Sequence, residues 1–198
     1  MARTIAKDHD QKRAQILKSA ARVFAREGFD RASMTQLARE CGISKANIYH
    51  YYDSKDAILY DILEIYLREL RDLICGIDLS GLDDAARLRR VIAEILLAYQ
   101  GVDDEHRVQI SGMSALPEEQ QKVLRGYQRD MVDYLSDILC QVAPGTFENS
   151  PGKLRSTTMS IFGMLNWYYM WNTGAGTQAR EDYADLVTKL TLNGVGSL

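Results

Sequence analysis

The sequence predicts an all-α protein, and three observations carry that expectation. Only three prolines occur in 198 residues. Leucine (22) and alanine (19) far outnumber valine (9), a bias toward helix over sheet. Apolar residues recur at helical spacing, as Ile16, Ala20, Val23 and Phe24 do at i, i+4, i+7 and i+8.

The elements follow in order. A first helix is expected over residues 8–27, closed by Gly28, because glycine enters the left-handed region without a Cβ penalty. A short second helix has Ser33 and Gln36 at capping-box spacing, Leu37, Ala38 and Cys41 as its apolar face, and Gly42 at its end. Ser44 then caps a third helix over 45–52, with Ile48 and Tyr52 turned inward. Two short helices joined by a tight turn containing glycine form the helix-turn-helix pattern.

Ser54 and Asp56 open a longer fourth helix, to about residue 77, whose apolar residues cover more than one face. Such a helix is expected to be packed on two sides and to link the small head to the rest. Five more helices are expected over 81–100, 103–113, 117–142, 151–173 and 178–192, separated by Pro117, Pro144-Gly145 and Gly174-Ala-Gly. About nine helices result, in a head over 1–53 and a helical body over 54–198.

Charge is split along the same line. Residues 1–60 carry 11 Lys+Arg against 7 Asp+Glu, while the remainder carries 13 against 20. A small basic head on an acidic body asks for an anionic partner at the N-terminus. Cys41, Cys75 and Cys140 are odd in number and lack paired spacing, which excludes a disulfide framework or zinc knuckle and suits a reducing compartment. There is no apolar leader and no run of membrane-spanning length, so a cytoplasmic location is expected. For an enzyme, we find no phosphate loop, no Ser/His/Asp set and no H-E-x-x-H spacing. Asp103-Asp-Glu-His106 reads as a dipole-favoured helix start. No catalytic residue, metal or cofactor is expected.

Residues 42–58 read Gly-Ile-Ser-Lys-Ala-Asn-Ile-Tyr-His-Tyr-Tyr-Asp-Ser-Lys-Asp-Ala-Ile. Upstream stands Phe24-Ala-x-x-Gly28-Phe-x-x-Ala32-Ser33-Met34. Without a gap over residues 12–59, this resembles the TetR family of transcriptional regulators, whose pattern is Gly-Val-Ser-x-x-x-Leu-Tyr-x-His/Tyr-Phe-x-Ser/Asn-Lys-Glu-x-Leu. A recognition helix reads the major groove with side chains near its N-terminus, here Lys45, Ala46 and Asn47. Lysine suits guanine, asparagine suits adenine, and alanine suits a thymine methyl. Tyr49, His50 and Tyr51 suit phosphate oxygens, as do the backbone amides beside Ser33 and Ser44 and the helix start at Lys55. The resemblance implies that Thr35 reaches a base edge and that Tyr49 and Lys55 hold phosphates. Arg3 and Lys7 form an arm that either enters a minor groove or stays in solvent.

The resemblance further implies a homodimer formed by the last two helices, on a palindromic operator of double-stranded DNA. Tyr183, Leu186, Val187 and Leu190 supply an apolar stripe for that interface, or close the chain's own core. Residues 161–171 are rich in aromatics, which suits either an apolar ligand cavity or an interface. Asn166 within them needs a polar partner. The expected effector pocket comprises Tyr99, Arg107, Ile110, Met113, Tyr127, Met131, Tyr134, Asn166 and Trp167.

The Asn-Trp…Trp helix also resembles TetR-type regulators of acyl-CoA catabolism, including those answering to phenylacetyl-CoA. That implies a small-molecule effector of acyl-CoA type, with Arg87, Arg89, Arg90, Arg107 and Arg125 as cations for its phosphates. The leading expectation is a ligand-responsive repressor. An effector-independent architectural DNA binder and a helical enzyme stand as alternatives.

Overall fold

A computed structural model describes the backbone of residues 2–195 and the side chains of 9–194. Among the described residues there are nine α-helices and one 3-10 turn: α1 (Ala2–Glu27), α2 (Met34–Glu40), α3 (Lys45–Ile48), α4 (Lys55–Cys75), α5 (Asp84–Ala98), α6 (Asp103–Gly112), the turn Met113–Ala115, α7 (Glu118–Val142), α8 (Pro151–Trp171) and α9 (Thr177–Val195). None of these helices is long and apolar enough to cross a membrane.

Several boundaries differ from the expectation, three of them in the head and the helix that leaves it. Helix α1 begins at Ala2 rather than residue 8, so the backbone bearing Arg3 and Lys7 is helical instead of a loose arm; those two side chains lie outside the described residues. Helix α3 is shorter than expected, because after Ile48 the chain tightens into turns. Tyr51 and Tyr52 both donate their amides to the Ile48 carbonyl at 3.0 Å, which returns Tyr52 to the core. Helix α4 stops at Cys75, just before Gly76.

The chain forms two compact units, and each is built around its own apolar residues. One comprises the residues up to Arg68 together with Asp104–Arg125; the other comprises Glu69–Asp103 and the residues from Gly126 onward. The divisions fall inside α4, after the first residue of α6, and inside α7. The first two-thirds of α4 and all but the first residue of α6 are thus grouped with the helix-turn-helix, a grouping that motif spacing does not reveal.

In the first unit, Ile16, Ala20, Val23 and Phe24 of α1 are buried as the periodicity predicts, with Leu37, Ile48, Ile58, Leu59 and Leu63. Gly112, at the end of α6, has no room for a side chain: an added Cβ would lie 3.1 Å from a Leu59 methyl. In the second unit α5 packs most extensively on α9. Leu88, Val91, Ile92, Ile95 and Leu96 of α5 are buried there, as are Ala184 and Val187 of α9. At its edge Arg89 bonds Asp185 at 2.5 Å and Glu181 at 2.9 Å. The buried residues of α4 make one broad stripe, Ile58, Leu59, Ile62, Leu63, Tyr66, Leu67, Leu70 and Ile74, while Leu73 is exposed. Its buried apolar surface is therefore a wide band along the helix.

Candidate nucleic-acid interface

Two serine caps position the short helices. The Ser33 hydroxyl accepts from the Gln36 amide at 3.3 Å and the Ser44 hydroxyl from the Asn47 amide at 3.1 Å. Each satisfies an amide that the helix leaves orphaned. The reciprocal half of the capping box does not form. The Gln36 side chain donates instead to the Glu27 carboxylate, which also receives Arg26 at 2.8 Å. Gln36 and then Arg26 hold that carboxyl below its ordinary range, and the pairing fixes α2 to the end of α1. Gly42 makes the turn into α3 at φ 66°, a conformation that a Cβ would strain.

Helix α3 presents Lys45, Ala46 and Asn47 to solvent, and the exposed surface continues through Tyr49 and His50. Thr35 is exposed at the start of α2. Behind this surface Ile48 and Tyr52 are buried, so the exposed side chains sit on a packed base. Arg13 lies over the Tyr52 ring at 5.8 Å and bonds Asp61 at 2.5 Å. Burial and then the Asp61 carboxylate push the Tyr52 phenol up, keeping it neutral. Tyr51 is half-buried and stacks on His9 of α1, with ring centroids 4.8 Å apart.

Lys55, expected to hold a phosphate, is engaged within the chain. Its ammonium donates to the carbonyls of Phe29 at 2.9 Å, Asp30 at 3.0 Å and Ala32 at 3.2 Å, and lies 4.4 Å from the Phe29 ring centroid. A lysine has three N–H donors, and all three are engaged. It holds the turn between α1 and α2, where a phosphate contact was expected. Sequence reasoning missed this, together with the His9–Tyr51 and Arg13–Asp61 contacts, because each partner is distant in the chain and no local spacing marks it.

Residues 16–62 match the family profile of bacterial regulatory proteins, tetR family, and residues 81–195 match the tetracyclin repressor-like C-terminal domain. The chain belongs to the TetR family. The HTH-type transcriptional repressor KstR2 of Rhodococcus jostii is 28% identical over 127 residues, 64% of this chain and 57% of that protein. The chain thus spans a little over half the length of this curated relative. A TetR-family transcriptional regulator from Bordetella parapertussis is 32% identical and superimposes with a TM-score of 0.85, covering 94% of this chain and 96% of that one. AibR, solved in complex with isovaleryl coenzyme A and operator DNA, shares the fold at 23% identity and a TM-score of 0.75, over 91% of this chain and 98% of that one. The matched families are those of regulators, not enzymes.

In this TetR chain the residues expected to bind an effector divide between the two units. In the first, Arg107 is exposed, Ile110 is 59% exposed and Met113 is half-buried. Ile110 therefore faces solvent and does not line an enclosed pocket. In the second, Tyr99 and Met131 are buried and Tyr127, Tyr134 and Asn166 are half-buried. Asn166 has the partner its setting demands, the Tyr99 hydroxyl at 2.7 Å. Arg71 covers Tyr127 at 5.0 Å and bonds Asp130 at 3.3 Å. Trp167 is 59% exposed and belongs to an outward face, contrary to its assignment to the pocket.

The arginines proposed for coenzyme phosphates are engaged already. Arg87 bonds Gln141, Arg89 bonds Glu181 and Asp185, Arg90 pairs with Glu94, and Arg125 bonds Gln121.

The dimer stripe also needs correction. Leu186 and Leu190 are 50% and 56% exposed, but Val187 is fully buried against the protomer's own core. Tyr183 stacks on Tyr168 at 4.5 Å and donates to the Met164 carbonyl at 3.3 Å, so it too is tied into its own unit. What stands outward with the two leucines is Met159, Trp167, Met170 and Trp171 of α8.

Proposed function

We propose that the chain is a ligand-responsive transcriptional repressor that binds a near-palindromic operator as a homodimer and leaves it when a small-molecule effector binds. The observation that carries this reading is the capped helix α3, which displays Lys45, Ala46 and Asn47 over buried Ile48 and Tyr52. Polar side chains of this kind read base edges when a rigid base presents them to the major groove. Ser33, Ser44, Tyr49, His50 and Tyr51 fit the flanking phosphate contacts that fix register, and Thr35 fits a base edge.

Dimerisation follows from the same requirement. One short helix reads too few bases, and two copies about 34–36 Å apart read a palindrome. The exposed apolar residues Met159, Trp167, Met170 and Trp171 on α8 with Leu186 and Leu190 on α9 are the proposed face for the second copy.

For the effector, the second unit offers the Tyr99–Asn166 pair among buried aromatics, a polar contact able to orient a largely apolar molecule. The acyl-CoA class, phenylacetyl-CoA included, is supported by the resemblance and by AibR's complex with isovaleryl coenzyme A. Because Arg87, Arg89, Arg90 and Arg125 already have partners, the acyl group rather than the phosphates is the part to be read. An effector acts only through its differential affinity for two states of the dimer, commonly 1–3 kcal/mol of coupling.

The test is capture of fragmented genomic DNA by the purified full-length chain, sequenced with and without phenylacetyl-CoA and isovaleryl-CoA. Enrichment of palindromic sites, lost when one ester is added, is the expected result. Enrichment insensitive to acyl-CoA esters and free acids would favour the architectural alternative. No enrichment would overturn the DNA-binding reading.

A further inference from the structure

We infer that Lys55 is a positioning residue, which latches the start of α4 to the turn between α1 and α2 and thereby sets the pose of the helix-turn-helix on DNA. This rests on the DNA-binding reading above. The three acceptors are the carbonyls of Phe29, Asp30 and Ala32, at 2.9, 3.0 and 3.2 Å. Ala32 immediately precedes Ser33, the cap of α2. Phe29, whose ring lies beneath the ammonium, also packs edge-on against buried Phe24 at 5.3 Å. One side chain therefore joins three elements: the first residue of α4, the entry to α2 and the core face of α1.

The placement has an electrostatic cost that identifies its purpose. Lys55 is the first residue of α4, and a cation at a helix N-terminus opposes the helix dipole. Three convergent carbonyls and a ring face offset that penalty. A compact ammonium with three donors fits such a cradle, which a planar guanidinium does not. A phosphate would have to break these bonds to claim the charge. Six residues on, Asp61 binds Arg13 of α1, so the first two turns of α4 and the head are tied at two points.

The experiment uses the full-length chain and a duplex selected by it from a random 30-bp library, with a scrambled duplex as control. Amine-reactive labelling of the wild-type protein, read by mass spectrometry, is performed free and DNA-bound. Lys55 is expected to be equally protected in both states, while Lys45 becomes protected only on DNA. Protection of Lys55 only in the complex would overturn the proposal, whereas failure of Lys45 to respond would overturn the α3 reading instead.

Two variants supply the functional arm. Lys55→Met is expected to weaken the selected duplex by roughly tenfold, the order of one misaligned base contact. The salt dependence of binding and the affinity for the scrambled duplex should be unchanged. Lys55→Arg, which keeps the charge, should not restore affinity. Equal losses on both duplexes, with a salt slope smaller by about one, would mark a phosphate contact and overturn the proposal. So would unchanged affinity or full rescue by arginine. If the variants fold poorly by circular dichroism, the wild-type labelling decides. A library that yields no duplex removes the DNA reading and this proposal with it.

Discussion

The Tyr99 hydroxyl donates to the Asn166 side-chain oxygen at 2.7 Å, joining the end of α5 to the middle of α8. Tyr99 is buried and α8 is otherwise apolar around the asparagine, with Phe162, Leu165 and Tyr169 close in sequence and buried. Removing one partner leaves the other short of a hydrogen bond where water is scarce, a loss of about 1–3 kcal/mol. Tyr99→Phe is therefore expected to lower stability by that order in urea unfolding. Tyr99→Phe combined with Asn166→Leu should cost less than the sum of the two single changes, because each single change already removes the bond they share. Strict additivity would show that the bond contributes nothing specific.

Alkaline pH should unfold the protein by a route that two tyrosines define. Burial pushes the Tyr99 phenol up, and burial followed by the Asp61 carboxylate does the same to Tyr52. Both are acids whose folded state prefers the neutral form. Their contribution is complete below the ordinary phenol value of about 10 and is lost as pH climbs from there toward the raised folded value. Stability measured between pH 9 and 11, at roughly half-unit steps, is expected to fall above 10. The Tyr99→Phe protein should fall less steeply. An equal slope in wild type and variant would refute the assignment to Tyr99.

These examples also show what the sequence can and cannot disclose. The caps at Ser33 and Ser44 were legible because a cap and its amide lie three residues apart, within reach of a spacing rule. The helical phase of α9 was legible too, since Tyr183, Leu186, Val187 and Leu190 do share a broad stripe. Which edge of that stripe turns inward depends on where α5 lies, and α5 claims Val187 while leaving Leu186 and Leu190 outside. Lys55 bonds residues 23 to 26 positions earlier, and Gln36 abandons its own helix for Glu27. Choices among competing partners are made by the assembled fold, so local pattern named the residues without naming their contacts.

The corrected stripe separates two effects that the uncorrected one would confuse. Leu190→Glu and Trp167→Glu place charge on the exposed α8–α9 surface and are expected to convert a dimer to monomers in size-exclusion chromatography with light scattering. Their protomer fold, followed by far-ultraviolet circular dichroism, should persist. Val187→Ala removes buried methyl groups and is expected to cost about 2 kcal/mol of stability while leaving the dimer intact. Monomers from Val187→Ala at full protomer stability would show that the face had been drawn on the wrong side of α9.

Reading and positioning on DNA should likewise come apart. Asn47 is exposed on α3, its own amide engaged by the Ser44 cap, next to the buried Ile48. A bidentate asparagine–adenine pair contributes about 1–3 kcal/mol of discrimination at one base pair. Asn47→Ala should therefore flatten preference at one position of each half-site and leave the salt dependence nearly unchanged. Tyr49→Phe removes a hydroxyl suited to a phosphate and should weaken all duplexes alike, without altering preference. Competition binding against a library of single-base operator variants measures both. If the two substitutions gave the same profile across that library, Asn47 would be a backbone contact, and base reading would have to rest on Lys45, Ala46 and Thr35.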